Sequence, residues 1–202
     1  MTARRIFLLS PAHCGGKRAA ILLNERADFP LAQRLRSPGI TLGEAFSFLS
    51  GLYFRGKLTY AAQFARPPEG QAGVRVITTD RGLLPPETPI GARELREFGT
   101  LDIRADRPEY RTPLRRDLGP LEELDGLEIV LLGSVATGKY VDVLLERLGE
   151  RLLFPVEFEG RGDMSRGALL LRAAEAGREL TYEPVAGAVR RGPRPPKLAP
   201  RR

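Results

Sequence analysis

The apolar positions of the chain fall into short unbroken runs separated by amphipathic stretches. Arg5 to Ser10 (RIFLLS), Val74 to Thr78 (VRVIT) and Ile129 to Leu132 (IVLL) are runs of strand length. Apolarity that is continuous rather than alternating predicts strands covered on both faces, as in a parallel sheet between helices. The segments between them carry helical spacing. Thr41 followed by Glu44 is a capping-box pattern, and Leu42, Ala45, Phe46 and Leu49 then supply one apolar face. A second helical piece is predicted over Arg55 to Ala65, with Leu58, Ala61, Ala62 and Phe64 inward. Further helices are predicted within Ile90 to Phe98, from an N-cap at Thr137 through Val141, Val143, Leu144, Leu145 and Leu148, and from an N-cap at Asp163 to Glu175. Strands at Arg151 to Phe158 and Glu179 to Pro184 complete the pattern. Pro155 cannot donate to a ladder, which puts the first of these near a sheet edge or breaks it at that point. Strands alternating with helices predict a three-layer α/β fold with a mostly parallel central sheet flanked by helices.

Two stretches do not fit this alternation. Between Thr88 and Gly126 the periodicity is weak, and RADRPEYRTPLRRDLG reads as a solvated mixed-charge loop. The end of the chain, GPRPPKLAPRR, is Pro-rich and basic and is expected to be disordered. With 202 residues and 42% hydrophobic content, the remainder supports one sizeable core, so a single α/β domain is expected over residues 1–187 with a tail over 188–202.

Charge changes the picture only once its distribution is considered. The net charge of +7 suggests a nucleic-acid partner, but Arg190, Arg191, Arg194, Lys197, Arg201 and Arg202 stand in the tail with no acidic residue, leaving the body near +1. The one cysteine, Cys14, excludes an intramolecular disulfide, and with one histidine, His13, it cannot build a structural zinc site of Cys and His ligands. No secretory signal and no apolar run of membrane-spanning length is read, so a cytoplasmic protein without a membrane partner is expected. No cofactor pattern is read.

Candidate chemistry gathers at the strand ends. The first strand runs into Ser10, Pro11, Ala12, His13, Cys14, Gly15, Gly16, Lys17 and Arg18. The two glycines allow a turn with exposed amides, and cations at the start of a helix oppose its dipole, a cost that an anionic ligand would offset. Cys14 is a candidate nucleophile or redox thiol, since Lys17 and a helix start lower a thiol pKa. The strand at Val74 ends at Asp80 and Arg81, which either act on a ligand as base and anion clamp or pair with each other. The aromatic residues Phe46, Phe48, Tyr53, Phe54, Tyr60 and Phe64 are expected in the core rather than stacked on bases. After the strand at Ile129 the chain reads GSVATGKY, with Gly133, Gly138 and Lys139 at P-loop spacing. Tyr140 stands where a P-loop needs a short hydroxyl for Mg²⁺, so nucleotide hydrolysis is an alternative and not the leading expectation.

The strand ends taken together resemble the YaaA-type peroxide-stress family and uncharacterised relatives, whose α/β fold is similar to that of uracil-DNA glycosylases. LLSPAH, with Ser10, Pro11 and Ala12, resembles the family's SPAK pattern, with His13 in place of its Lys. VATGKY resembles LASNEY, keeping a hydroxyl at Thr137 and the aromatic at Tyr140, with Lys139 in place of Glu. PVEFEG followed by Arg166 and Gly167 resembles the late Phe and ARG elements, and LYFRGKLTYA and VITTDRGLLPPETPI are similar to segments of relatives with a CxxK opening. The resemblance implies DNA binding and protection of DNA from oxidative damage.

A cleft at the strand carboxyl ends is therefore expected, lined by Ser10, His13, Cys14, Lys17, Asp80, Arg81, Thr137, Lys139, Tyr140 and Arg166, with Gly15, Gly16, Arg18 and Ser134 as further phosphate contacts. It is expected to hold a nucleic-acid phosphate and a flipped base. If it catalyses, N-glycosidic cleavage is the natural chemistry, with Asp80 orienting water and Lys17 or His13 assisting the departing base. The alternatives are a non-catalytic DNA-binding module anchored by its tail and a nucleotide-binding protein using GSVATGKY.

Overall fold

The structure, a computed structural model, describes residues 3–101, 103–104, 106–136, 138–189, 192–196 and 198. Thr137 and five of the six tail cations, Arg190, Arg191, Lys197, Arg201 and Arg202, lie outside them, so the cap expected at Thr137 is not among the described features. In chain order come β1 (Arg4–Leu9), α1 (Lys17–Leu22), α2 (Pro30–Arg36), β2 (Ile40–Thr41), α3 (Leu42–Ser50) and α4 (Leu52–Phe64). They are followed by β3 (Val74–Ile77), β4 (Leu83–Leu84), β5 (Pro89–Ile90), α5 (Ala92–Thr100), α6 (Pro108–Glu122) and β6 (Leu127–Leu132). The last elements are α7 (Gly138–Leu148), β7 (Leu152–Pro155), α8 (Asp163–Glu175) and β8 (Tyr182–Pro184).

The fold is the expected α/β architecture. Six strands form one sheet in the order β4-β3-β1-β6-β7-β8, in which β3, β1, β6 and β7 run parallel and the short edge strands β4 and β8 run antiparallel. Alternate side chains of the buried strands enter opposite layers. Phe7, Leu9, Val76, Val130 and Leu132 join the core beneath α1 to α5 and α8. Ile6, Leu8, Ile77, Ile129 and Leu131 join the core beneath α6 and α7. This two-sided burial is why these strands read as unbroken apolar runs.

Helices α4 and α8 pack backbone to backbone. A Cβ on Gly56 would stand 2.6 Å from the Gly167 carbonyl oxygen, and one on Gly167 would stand 2.7 Å from the Leu52 oxygen and the Tyr53 Cα. Two glycines facing each other therefore set the helix separation. The capping box of α3 is present, with the Glu44 amide donating to Thr41 Oγ1 and the Thr41 amide donating to the Glu44 carboxylate.

Three expectations need correction. The segment read as a mixed-charge loop contains α6, a 15-residue helix whose Tyr110, Leu114, Leu118 and Leu121 are buried. Their spacing is helical, but Pro113 and Pro120 and the arginines between hide it; Pro108 in the first turn costs nothing, because the first amides of a helix have no internal partner. The cap of α8 is Gly162, with Asp163 already in the first helical turn. The strand at Arg151 to Phe158, by contrast, breaks at Pro155 as that residue led one to expect, and the chain then makes a single 3-10 turn over Val156–Phe158. In addition, α4 begins at Leu52, three residues before the expected Arg55, and this places Tyr53 and Phe54 on the helix.

The described part of the terminal segment lies against the α8 entry. The Arg161 guanidinium donates to the Pro196 carbonyl at 3.3 Å, and a Cβ on Gly160 would collide with the Pro193 carbonyl.

Candidate functional site

The order of the sheet places a crevice where the sequence motifs meet. The chain leaves β1 towards β3 on one side, and later returns to lay β6 on the other side of β1. In open α/β sheets such a reversal separates the loops at the strand carboxyl ends, and ligands bind between them. Here the two loops flanking the reversal are the Ser10 to Gly16 loop after β1 and the Gly133 to Gly138 loop after β6.

Between them lies a cleft of about 540 Å³. The first loop contributes Ser10, Pro11, Ala12, His13, Cys14 and Gly15, the second contributes Ser134, and the first turn of α7 contributes Lys139 and Tyr140. Thr79 enters from the end of β3, Phe98 and Gly99 from α5, Leu49 and Ser50 from α3, Tyr53 from α4 and Asp163 from α8. Close approach fixes the walls. A Cβ on Gly133 would stand 2.9 Å from both Ser10 Cβ and the Tyr140 hydroxyl, and one on Gly99 would stand 2.9 Å from the Cys14 carbonyl oxygen.

The residue that dominates the electrostatics is one that sequence reasoning passed over. Lys57 of α4 is 1% exposed, directly behind Ser10, and its Nζ lies 2.5 Å from the Ser10 carbonyl oxygen and 2.9 Å from Ser10 Oγ. The ammonium also lies over the rings of Tyr53 and Phe54, 4.5 and 4.8 Å from their centroids. No carboxylate pairs with it among the described ion pairs. Burial without a counter-ion disfavours the charged form, and it pulls the lysine down to about 7 against a weaker opposing pull from Asp163. The signal was present in the sequence: Lys57 follows Phe54 by three positions and precedes Tyr60 and Ala61 by three and four, which puts a cation in the middle of the inward face of a helix.

Tyr53 forms the cleft wall beside this lysine. Its hydroxyl is buried, with no hydrogen bond of good geometry among the described residues, and burial raises its pKa against a smaller pull from Arg166. Tyr140 is the opposite case. Its hydroxyl accepts from the Ser134 amide at 2.8 Å and donates to the Ser134 carbonyl at 3.0 Å, and the Ala136 amide donates to Ser134 Oγ. The amides of Ser134 and Ala136 are thus consumed inside the loop, and the Tyr140 hydroxyl is committed. A phosphate-cradling P-loop uses such amides on its ligand, so these two are not available to a phosphate in this arrangement.

Other expected site residues stand elsewhere. Lys17 and Arg18 are exposed and do not line the cleft; Arg18 instead donates to the Phe48 carbonyl at 3.0 Å. Gly16 is the N-cap of α1 and lies outside the lining. Arg81 pairs with Glu97 of α5 and lies over the Phe98 ring, so it is neither a clamp in the cleft nor primarily a partner of Asp80. Asp80 also lies outside the lining; its Oδ1 is buried without a partner and burial raises its pKa. Arg166 is buried behind Asp163 and is held by two donations to the Phe158 carbonyl. The carboxylate that does reach the cleft is Asp163. Cys14 lines the cleft, but its thiol is buried, donates to the Ala12 carbonyl and is pushed up to about 12, the reverse of what an activated thiol needs. His13 and Lys139 stand exposed at the rim.

Of the expected core aromatics, Phe46, Tyr53, Phe54, Tyr60 and Phe64 are buried. Tyr53 alone among them also faces the cleft. Among the described residues no cluster of His, Cys, Asp and Glu is arranged to hold a metal, and no helix is long and apolar enough to cross a membrane. Compared with protein-family models, curated proteins and solved structures, the chain finds no match.

Proposed function

We propose that the cleft takes one nucleotide unit of a DNA or RNA strand, with the base lodged inside and its phosphates at the rim. The observation that carries this reading is the convergence of the Ser10 loop, the Thr79 strand end, Ser134 after β6 and the first turn of α7 on one cleft of about 540 Å³. That is a suitable size for a small ligand and ample for a nucleoside. Tyr53, Phe98 and Tyr140 offer aromatic surface to a base, while the His13 imidazole and the Lys139 amine offer hydrogen-bond donors to phosphates at the mouth. The basic tail adds sequence-independent attraction to the backbone. The likeness of LLSPAH and VATGKY to the YaaA-type family supports the same partner.

If this site cleaves the N-glycosidic bond, the carboxylate in reach is Asp163 rather than Asp80. It would orient a water or stabilise the oxocarbenium ion, with His13 protonating the departing base. Fluorescence anisotropy with labelled single-stranded DNA and RNA at about 50 mM salt tests binding. Saturable binding that weakens roughly thirtyfold in His13→Ala/Lys139→Ala is expected, each of the two lost phosphate contacts being worth about 1 kcal/mol. No saturation with either strand type removes the reading. Scoring abasic sites on modified and unmodified strands separates an enzyme from a binding module: product with the wild type and none with Asp163→Asn marks catalysis, and binding without product marks the module.

A further inference from the structure

We propose that Ser10 and Lys57 are a nucleophile and its general base, making the cleft competent for acyl transfer to Ser10 from an uncharged ester or amide. This does not rest on nucleic-acid binding, because it concerns the reactivity of one side chain and not the occupant of the cleft.

Three independent features point to it. Ser10 lies at the carboxyl end of the central strand, is 7% exposed and is one of the residues that line the cleft. Lys57 reaches it from the protein side only, 2.9 Å from Oγ, so the base is shielded from solvent while the nucleophile faces the cleft. The following loop carries the amides of Ala12, His13, Cys14 and Gly15, residues that line the cleft, and none of these amides donates to another group among the described residues. Those amides are the donors available to an oxyanion formed beside Ser10.

The lysine geometry suits a neutral amine. An –NH2 group has two protons to donate and one lone pair. As an ammonium the group donates to both the Ser10 carbonyl at 2.5 Å and Ser10 Oγ at 2.9 Å; as a neutral amine it keeps the first donation and, at the same 2.9 Å, its lone pair would accept the Ser10 hydroxyl proton. Its depressed pKa agrees with this state near neutral pH. Beside it lie the rings of Tyr53 and Phe54 from its own helix, and Asp163 of α8 acts on it, while Tyr140 and Arg166 act on its neighbour Tyr53. None of these is paired with it, and Asp163 acts on it only at a distance. A structural lysine placed to satisfy one carbonyl needs no second contact to a cleft-facing hydroxyl.

The reaction balances without any further reagent except water. Oγ attacks the carbonyl carbon as its proton passes to Lys57 Nζ, and the carbonyl oxygen becomes an oxyanion. The oxyanion collapses, the bond to the leaving group breaks, and that group takes a proton from a water in the cleft, leaving an acyl ester on Ser10, hydroxide, and the proton on Lys57. The hydroxide attacks this ester, and collapse of the second oxyanion releases the acid and the Ser10 alkoxide, which takes its proton back from Lys57. The substrate is uncharged near the scissile bond, because an anion there would hold Lys57 protonated and remove the base.

The test uses the full chain with phenylmethanesulfonyl fluoride as a covalent trap and p-nitrophenyl acetate as an acyl donor. Intact mass and peptide mapping should show a single sulfonyl adduct on Ser10. The labelling rate should rise with pH and level off above a midpoint near neutrality. Ser10→Ala, which keeps the backbone carbonyl that Lys57 contacts, should lose the adduct and at least a hundredfold of any ester turnover. Lys57→Met should lose the same, and Lys57→Arg should not rescue it, because a guanidinium keeps its proton and cannot serve as base. An adduct elsewhere, no adduct, or a rate that climbs with hydroxide without a plateau would each overturn the proposal. Those wild-type measurements decide it even if a Lys57 variant fails to fold.

Discussion

Lys57 is the residue whose physics separates the folded from the unfolded chain most sharply. Its pKa falls from 10.5 to about 7 on folding, through burial. Below pH 7 the lysine is charged in both states, and the full burial cost weighs on the fold. Between about 7 and 10.5 the unfolded chain binds the proton more tightly than the folded chain, so stability rises with pH through this window. Above 10.5 both states are neutral and the cost has gone. The expected outcome is that wild type gains on the order of 4 kcal/mol relative to Lys57→Met between pH 7 and 10.5. Denaturant unfolding at several pH values measures it, and a constant difference between the two proteins would sink the idea. Lys57 was legible as a cation on an apolar helix face, but nothing in the sequence indicated that its head group meets Ser10.

At the scale of elements, α4 carries the site. Tyr53 and Lys57 both lie on it, and its position against the sheet is set by the contact of Gly56 with Gly167 on α8. Gly56→Ala drives a methyl group to 2.6 Å from a backbone oxygen, where no flexible side chain can yield. A loss of about 2–3 kcal/mol is expected, read as a lower urea midpoint with an unchanged slope. An unchanged midpoint would mean that the two helices have room to part. Such close approach is invisible from sequence, because a glycine at a helix interface reads like any other helix-weakening glycine. The strands β1, β3 and β6 were legible since each is buried on both faces, and α3 was legible from Thr41 and Glu44. Helix α6 was not. Its apolar residues at Tyr110, Leu114, Leu118 and Leu121 mark a helical stripe, but Pro113 and Pro120 weigh against a helix locally, and only packing against α7 and β4 outweighs them.

For the whole molecule, charge is divided between a nearly neutral body and a basic tail. Cutting the chain after Gly187 removes six cations and no acid. If the tail anchors nucleic acid, the slope of log affinity against log salt for single strands should flatten by up to roughly 4. Equal slopes for the cut and full-length chains would place the binding in the cleft alone. The cut also removes Pro193 and Pro196 from beside Gly160 and Arg161. A melting experiment on the same protein separates a loss of affinity from a loss of fold.

Local patterns in the chain were enough to determine the strand and helix alternation, the single α/β core, the placing of loops at the strand ends and the concentration of charge in the tail. These follow from nearest-neighbour physics: apolar periodicity, capping and the backbone limits of Pro and Gly. Tertiary structure alone decided which strand ends meet. It brought Ser10, Thr79 and Tyr140 to one cleft and left Lys17, Asp80 and Arg81 outside it. It turned the P-loop-like spacing into a loop closed by Tyr140, raised the pKa of Cys14 and lowered that of Lys57. The reason is common to all of these. A side chain's chemistry is set by what surrounds it in space, and residues 47 positions apart, such as Ser10 and Lys57, share an environment only after the sheet order has placed them together.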